Sequence, residues 1–149
     1  MSRRAFVVPA LTVTLVAALL GATAAAHETK VVGGYRISVG MRVEPPYTDE
    51  RNGLDLIVKR TSDDSPVEGL EKSLRVELTA PDGQQRSYAL RAQFGQPGRY
   101  TADWLLTQPG VYRIRVFGYV GSQAIDETFS SHEVRPLSEL RFPAAAQQG

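Results

Sequence analysis

The stretch YRISVGMRV, residues 35–43, alternates between apolar side chains and arginine, serine or glycine at every step. Successive side chains of a β-strand point to opposite faces, so this pattern predicts a strand with one buried face. The prolines of Glu44-Pro45-Pro46 end the pattern, because proline donates no hydrogen bond to a sheet. The stretch therefore indicates a strand that covers an apolar core.

Further runs along the chain alternate in the same way, and they occupy residues 54–58, 74–78, 88–92, 100–106, 112–116 and 124–129. Turn residues such as Asn52-Gly53 and Pro81-Asp82-Gly83 separate the runs, and no window has a helical period. Short strands at this spacing predict an all-β fold, an immunoglobulin-like antiparallel β-sandwich of about seven strands. In such folds Tyr112 is expected to hydrogen-bond back to the corner that precedes it.

The first 26 residues have the three-part layout of a secretory signal peptide. Arg3-Arg4 precedes an apolar run from Ala5 to Leu20, and Ala24 and Ala26 fit an Ala-x-Ala cleavage site. The arginine pair is compatible with twin-arginine export or with general export. An uncleaved anchor is the alternative, but the run is marginal for the ~20 residues that a membrane span needs.

Cleavage after residue 26 predicts a sandwich domain at 27–135 and a flexible tail at 136–149, in the periplasm or outside the cell. Two of the 17 basic residues and none of the 16 acidic ones lie in the leader, so the mature net charge is −1. This charge gives no basic surplus for nucleic-acid binding, and no segment after residue 26 could span a membrane. The absence of cysteine excludes a lipoprotein anchor, thiolate metal sites and a cysteine nucleophile.

His27 is the first candidate site residue, because cleavage would make it the amino terminus. An amino-terminal histidine offers its α-amine and a ring nitrogen, which close a chelate ring on one metal ion. Both groups shed protons near neutral pH, with reference pKa values of about 7.7–8.0 and about 6.5. Nitrogen donors in a square-planar arrangement suit Cu(II). The alternative is an ordinary exposed histidine near a terminus.

His132 and Glu44 are the candidates for completing such a site. With seven strands alone, His27 and His132 would lie at opposite ends of the sandwich. If residues 28–32 form an additional strand that turns at Gly33-Gly34, His27 would lie near the end of the 35–43 strand, beside Glu44 and nearer His132. Glu44 could then be a ligand or an orienting partner of the imidazole. Solvated surface side chains are the alternative for both residues.

A resemblance to known proteins is carried by His27, Val32-Gly33-Gly34-Tyr35, Glu44-Pro45-Pro46, Pro66-Val67-Glu68-Gly69-Leu70, the 94–102 segment and Asp126-Glu127-Thr128-Phe129. Together these motifs resemble a largely uncharacterised group of exported bacterial sandwich proteins and, more distantly, the CopC-type copper-resistance proteins and YtkA-like domains. The CopC resemblance implies a copper-ligand role for the amino-terminal histidine. It also implies a late aspartate and histidine in an Asp-x-His arrangement, which this chain lacks; Asp126 and His132 are the residues available in their place.

We therefore expect an exported binding protein that holds copper through His27, for storage, delivery or resistance, and that is not an enzyme. No Gly-x-Ser-x-Gly, phosphate loop or His-Glu-x-x-His motif is present. The first alternative is a metal-free accessory module whose partner is another envelope protein. The second is a copper-dependent oxidase in which His27 and His132 form a two-histidine brace.

Overall fold

A computed structural model describes residues 26–144 as two antiparallel β-sheets packed face to face, without an α-helix in that range. The strands are β1 (His27–Val32), β2 (Tyr35–Met41), β3 (Arg51–Arg60), β4 (Leu74–Thr79), β5 (Gln85–Ala89), β6 (Arg91–Ala92), β7 (Arg99–Thr101), β8 (Asp103–Leu105), β9 (Arg113–Val120) and β10 (Gln123–Ser130). The predicted all-β, immunoglobulin-like sandwich is confirmed.

The first sheet has the order β1-β2-β3-β7-β6, with β8 also pairing with β3, and the second has the order β10-β9-β4-β5. The described part of the chain has more strands than predicted because two predicted runs each divide in two. Residues 88–92 divide at buried Leu90, where the chain passes from β5 in the second sheet to β6 in the first. The β1 strand is the remaining addition, and it turns into β2 at Gly33-Gly34.

The facing sides of the two sheets form one apolar core. Its most deeply buried members are Ile37, Val39, Met41, Leu54, Leu56, Val58, Leu74, Val76, Tyr100, Ile114, Val116 and Phe129. The predicted corner tyrosine is confirmed: the Tyr112 hydroxyl donates to the Gln108 carbonyl oxygen at 2.9 Å. Burying apolar surface contributes about 25 cal/mol per Å², so this core is the main stabilising term.

Side chains of β1 connect the edges of the two sheets. The Lys30 ammonium donates to the Thr128 carbonyl oxygen at 2.6 Å, and the Ser130 amide donates to Glu28 Oε2 at 2.8 Å. These contacts run antiparallel along β1 and β10, so each step back along β1 is a step forward along β10. The amino-terminal end of β1 is therefore level with the residues that follow Ser130.

The two ends of the chain differ in how much of them the structure describes. The predicted signal peptide lies outside the described residues except for Ala26, and so do residues 145–149 of the predicted tail. The earlier part of that tail includes a 3-10 helix at Leu137–Leu140, and the Leu137 amide donates to Thr48 Oγ1 at 3.2 Å. Between residues 26 and 144 the structure contains no helix long and apolar enough to cross a membrane.

Candidate functional site

Three neighbouring strands place His27, Gly40 and Asp55 in one row across the first sheet. His27 pairs with Gly40 on β2, and Gly40 pairs with Asp55 on β3. Leu54 and Leu56, on either side of Asp55, are fully buried in the core. Because side chains alternate between faces along a strand, the row lies on the outer face of the sheet.

Gly40 leaves the space through which the His27 side chain reaches β3. A Cβ atom at position 40 would lie 2.9 Å from Cδ2 and 3.0 Å from Cγ of the His27 ring. The ring therefore lies across β2, and its Nε2 is 2.9 Å from Asp55 Oδ2. No other residue type at position 40 would permit this path without moving the ring.

Asp55 is an unusual residue for an outer sheet face, because its side chain is only 6% exposed. Besides His27, it accepts hydrogen bonds from Arg99 Nε at 2.8 Å and Gln93 Nε2 at 3.3 Å, both to Oδ1. Burial by itself raises the pKa of Asp55, but the hydrogen bonds and positive charges of Arg99 and His27 outweigh it and lower that pKa below its ordinary value. The carboxylate is thus ionised at neutral pH.

The contact with Asp55 determines which tautomer a neutral His27 adopts. An ionised carboxylate can only accept hydrogen bonds, so Nε2 must carry the proton and donate. The lone pair of the ring is then on Nδ1, which hydrogen-bonds to none of residues 26–144. Nδ1 is also the ring nitrogen nearer the backbone, where it can chelate together with an α-amine.

The structure brings two other predicted site residues together, Glu44 and His132. His132 Nδ1 lies 3.2 Å from Glu44 Oε2, while Glu44 Oε1 accepts the Met41 amide at 3.4 Å. Glu44 therefore partners His132, and the carboxylate that orients His27 is Asp55. With Nδ1 donating to Glu44, the lone pair of a neutral His132 is on Nε2.

Two independent sets of contacts indicate where Glu44 and His132 lie along the sheets relative to residue 26. The register of β1 and β2 makes Met41 the next partner after Gly40, opposite residue 26, and Glu44 binds the Met41 amide. The tie between Glu28 and Ser130 on the opposite edge makes His132 level with residue 26 as well. These registers place Glu44 and His132 toward the same end of the sandwich as residue 26.

Asp126 belongs to a different surface. It flanks the buried Ile125 on β10, so it points to the outer face of the second sheet, whereas His27 is on the outer face of the first. Arg115 holds it with bonds from Nε at 2.7 Å and Nη2 at 2.9 Å. The hydrogen bond and the positive charge of Arg115 lower the pKa of Asp126.

Among residues 26–144, no three or more His, Cys, Asp or Glu side chains lie close enough to hold a metal ion. A metal site at His27 therefore depends on a donor that is not a side chain, namely the α-amine. This donor exists only if the chain is cut after Ala26.

Sequence reasoning missed Asp55, Gly40, Arg99 and Gln93. A signal for the first two was present, because a two-residue turn at Gly33-Gly34 pairs His27 with Gly40. Asp55 is also a lone carboxylate within the apolar run Gly53-Leu54-Asp55-Leu56. Arg99 and Gln93 come from a distant hairpin, and no local pattern connects them with His27.

Comparisons with known proteins give no family for this chain, since no protein-family model and no curated protein matches it. The Lin-41 filamin domain matches 70% of this chain and 98% of its own length, at 8% identity and a TM-score of 0.44. A DUF4785 family protein from Legionella pneumophila matches 70% of this chain and 29% of its own length, at 11% identity and a TM-score of 0.44. The multi-modular chitinase ChiW from Paenibacillus matches 74% of this chain and 9% of its own length, at 12% identity and a TM-score of 0.43.

Proposed function

We propose that the exported chain, beginning at His27, is a binding protein for Cu(II) that serves copper storage, delivery or resistance. The donors are the α-amine and Nδ1 of His27, with Nε2 of His132 as a third nitrogen. The observation that carries the proposal is the hydrogen bond between His27 Nε2 and buried Asp55, because it orients the ring and leaves Nδ1 for a metal.

In each histidine, the ring nitrogen that would not bind the metal is hydrogen-bonded to a carboxylate. Asp55 takes Nε2 of His27, and Glu44 takes Nδ1 of His132. Histidines that bind metals usually donate their other N–H to such a group, which fixes the tautomer and increases ligand basicity. Asp55 and Glu44 are therefore positioning residues in this proposal, and the ligands are nitrogen atoms.

This donor set fits Cu(II) better than the other common divalent ions. Three nitrogen donors and a vacant in-plane position for water suit the tetragonal geometry of Cu(II), and nitrogen affinity rises toward copper in the first transition row. The leader cleavage and the periplasmic or extracellular location remain part of the proposal. The absence of catalysis is also part of the proposal. The alternative is a copper-dependent oxidase, which a two-histidine brace could support.

The test compares protein that begins at His27 with protein that carries one additional glycine before it. We expect the first to bind about one Cu(II) in calorimetry, with nitrogen hyperfine structure in the spin-resonance spectrum, and the second to lose the tight site. Retention of the same affinity after the extension would falsify the proposed chelate. Mass spectrometry of the exported protein checks independently that cleavage occurs after Ala26.

A His132→Gln variant of the protein that begins at His27 tests the third donor. We expect one nitrogen fewer in the spin-resonance spectrum, with the two-nitrogen chelate retained. An unchanged spectrum would remove His132 from the ligand set. Oxygen consumption by the copper-loaded protein in the presence of ascorbate distinguishes the oxidase alternative, since a storage or delivery protein should not turn over.

One observation favours the metal-free interaction module as a second candidate. Phe94 is completely exposed, at 103% of its reference area, in the short hairpin between β6 and β7 whose residues Gln93 and Arg99 hold Asp55. A photo-crosslinking residue at position 94 should give protein adducts in the envelope if this module acts by docking. The same substitution at Phe142, also 97% exposed, is the control and should give none.

A further inference from the structure

A second row on the outer face of the first sheet repeats the geometry of the His27 row. The Arg42 amide donates to the Gly53 carbonyl oxygen, and Gly53 pairs with Asp103 on β8. A Cβ atom at position 53 would lie 3.2 Å from Cζ of Arg42, so the guanidinium lies across Gly53. It reaches Asp103 with Nη2 at 2.8 Å from Oδ1.

Asp103 has more arginine partners than its charge can balance. Arg91 approaches Oδ2 at 2.5 Å and Arg51 at 3.6 Å, in addition to Arg42. Three guanidinium groups and one carboxylate leave an excess of two positive charges at this position. The side chains of Arg51 and Arg91 are 80% and 60% exposed, so most of this excess faces solvent.

An exposed apolar side chain lies beside these arginines. Leu105 on β8 is opposite Arg51 and is 57% exposed. We call the group of Arg42, Arg51, Arg91, Asp103 and Leu105 the arginine patch. An exposed leucine beside several arginines is compatible with a protein interface, because interface cores are more apolar than the remaining surface and arginine is enriched at interfaces while lysine is depleted.

We propose that the arginine patch is a docking surface for another protein, whose contact region presents several carboxylates around an apolar side chain. Asp103 shows which group these arginines bind, because its carboxylate already lies between them. Arginine forms planar, paired hydrogen bonds with carboxylates, and the charge excess would attract such a partner from solution. The patch lies on the same face as the His27 row, but the proposal does not depend on copper.

A polyanion is the less suitable occupant because it would leave Leu105 uncovered. Phosphate and sulfate groups match the arginines but gain nothing from an exposed leucine, whereas a protein side chain would remove its apolar surface from water. The contribution of Leu105 therefore distinguishes a protein partner from a polyanion.

The experiment uses the copper-free exported protein and a soluble peptide of alternating glutamate and leucine as the probe. A lysine–leucine peptide and a heparin fragment are the comparison ligands. We expect the glutamate–leucine peptide to shift the amide resonances of Arg51, Asp103 and Leu105, with an affinity that falls as salt rises. The lysine–leucine peptide should leave them unchanged.

Two variants test the assignment, and a third is their control. Arg51→Glu with Arg91→Glu should weaken peptide binding by about tenfold or more, because it reverses the charge at the docking position. Arg75→Glu with Arg86→Glu makes the same charge change on exposed residues of the second sheet and should have little effect. Leu105→Gln should weaken binding of the peptide and leave heparin binding unchanged.

Several outcomes would overturn the proposal. The first is that the Arg51→Glu, Arg91→Glu variant binds the peptide as tightly as the original protein does. The second is that the Arg75→Glu, Arg86→Glu control weakens peptide binding to the same extent. The third is that heparin binding depends on the arginine patch while peptide binding does not. Patch resonances that shift with protein concentration alone would indicate a second copy of this chain as the occupant. Because Arg51 and Leu105 are exposed, single variants at these positions keep the test valid if the double variant unfolds.

Discussion

Two glycines on the outer face of the first sheet determine where long side chains can lie. Gly40 lets the His27 ring cross β2 to Asp55, and Gly53 lets the Arg42 guanidinium cross β3 to Asp103. In each case a partly buried polar side chain meets a carboxylate two strands away. Glycine in a strand usually lowers stability, so its presence at both crossings indicates that close approach is required there.

We expect Asp55→Asn to lower the copper affinity of the protein that begins at His27 by about tenfold to a hundredfold. The amide can offer its oxygen to Nε2–H, but it lacks the charge that increases the basicity of Nδ1. Calorimetry with Cu(II) measures the effect. Asp126→Asn, on the outer face of the opposite sheet, is the control, and an equal loss there would contradict a specific role for Asp55.

In the protein that begins at His27, Gly40→Ala should separate the His27 ring from Asp55 with little effect on the sheet. The new Cβ would meet the ring carbons at 2.9 Å and 3.0 Å, and a histidine side chain can rotate away from such a contact. The Ala26 carbonyl oxygen, which lies 2.6 Å from the same Cβ position, is absent from this protein. Nitrogen NMR of the imidazole should then show a mixture of the two neutral tautomers, whereas the original protein should show only the Nε2–H form. A spectrum that keeps the single tautomer would show that the ring tolerates the methyl group.

At the scale of elements, β9 depends on a glycine for its backbone conformation and for its packing. Gly118 has a φ of +130°, and a Cβ there would lie 2.1 Å from the Ser73 carbonyl oxygen. Neither condition can be relieved by a side-chain rotation, because the neighbouring atom belongs to the backbone. The absence of a side chain at position 118 therefore allows β9 to pack closely against the segment that precedes β4.

Gly118→Ala should destabilise the protein by more than about 2 kcal/mol, since it combines an unfavourable φ with a backbone clash. Urea unfolding measures the change in the free energy of unfolding. Gly34→Ala is the matched control, because a Cβ at position 34 would meet no atom within 4 Å. Similar destabilisation by both variants would mean that packing around Gly118 adjusts more than the distances indicate.

Most elements could be predicted from alternation, but the site could be predicted only in part. The run at residues 35–43 gave β2, and the Gly33-Gly34 turn left β1 as one of two options. The period of two identifies which side chains share a face, but it does not show which distant strands become neighbours. Asp55 lies between two core leucines, so only the pairing of β2 with β3 reveals that it meets His27.

At the scale of the whole molecule, the two sheets are joined by the apolar core and by the contacts of β1 with β10. The second connection is polar, through Lys30 and Glu28, and it closes one side of the sandwich. It also joins two residues 102 positions apart in sequence, Glu28 and Ser130, at the end of the sandwich where β1 begins. The candidate site is therefore a product of the tertiary fold.

Acid should destabilise the molecule, and Asp55 should account for much of the effect. The pKa of Asp55 is lower in the folded protein than the ordinary value of 3.8, so the unfolded chain binds more protons as the pH falls. The stabilisation is complete above the ordinary pKa and is lost as the pH falls through the folded value. Urea unfolding at neutral pH and near pH 3 measures this loss.

Two variants separate this contribution from that of exposed carboxylates. Asp55→Asn should reduce the pH dependence of the free energy of unfolding. Asp63→Asn should change it little, although hydrogen bonds from Ser65 lower the pKa of Asp63, because that residue is exposed and screened by solvent. Equal slopes for both variants and the original protein would contradict the assignment to Asp55.

The crossing of a strand by a side chain also has a consequence for how this surface can vary among related chains. His27, Gly40 and Asp55 depend on one another. A larger residue at position 40 would keep the histidine ring from reaching the aspartate, and a chain without the histidine would not need a glycine there. The second crossing differs, because a Cβ at position 53 would also lie 2.3 Å from the Ala102 carbonyl oxygen, so Gly53 is required whether or not Arg42 is present. We expect His27, Gly40 and Asp55 to be kept or lost together, and Gly53 to be kept in related chains that have lost Arg42 or Asp103.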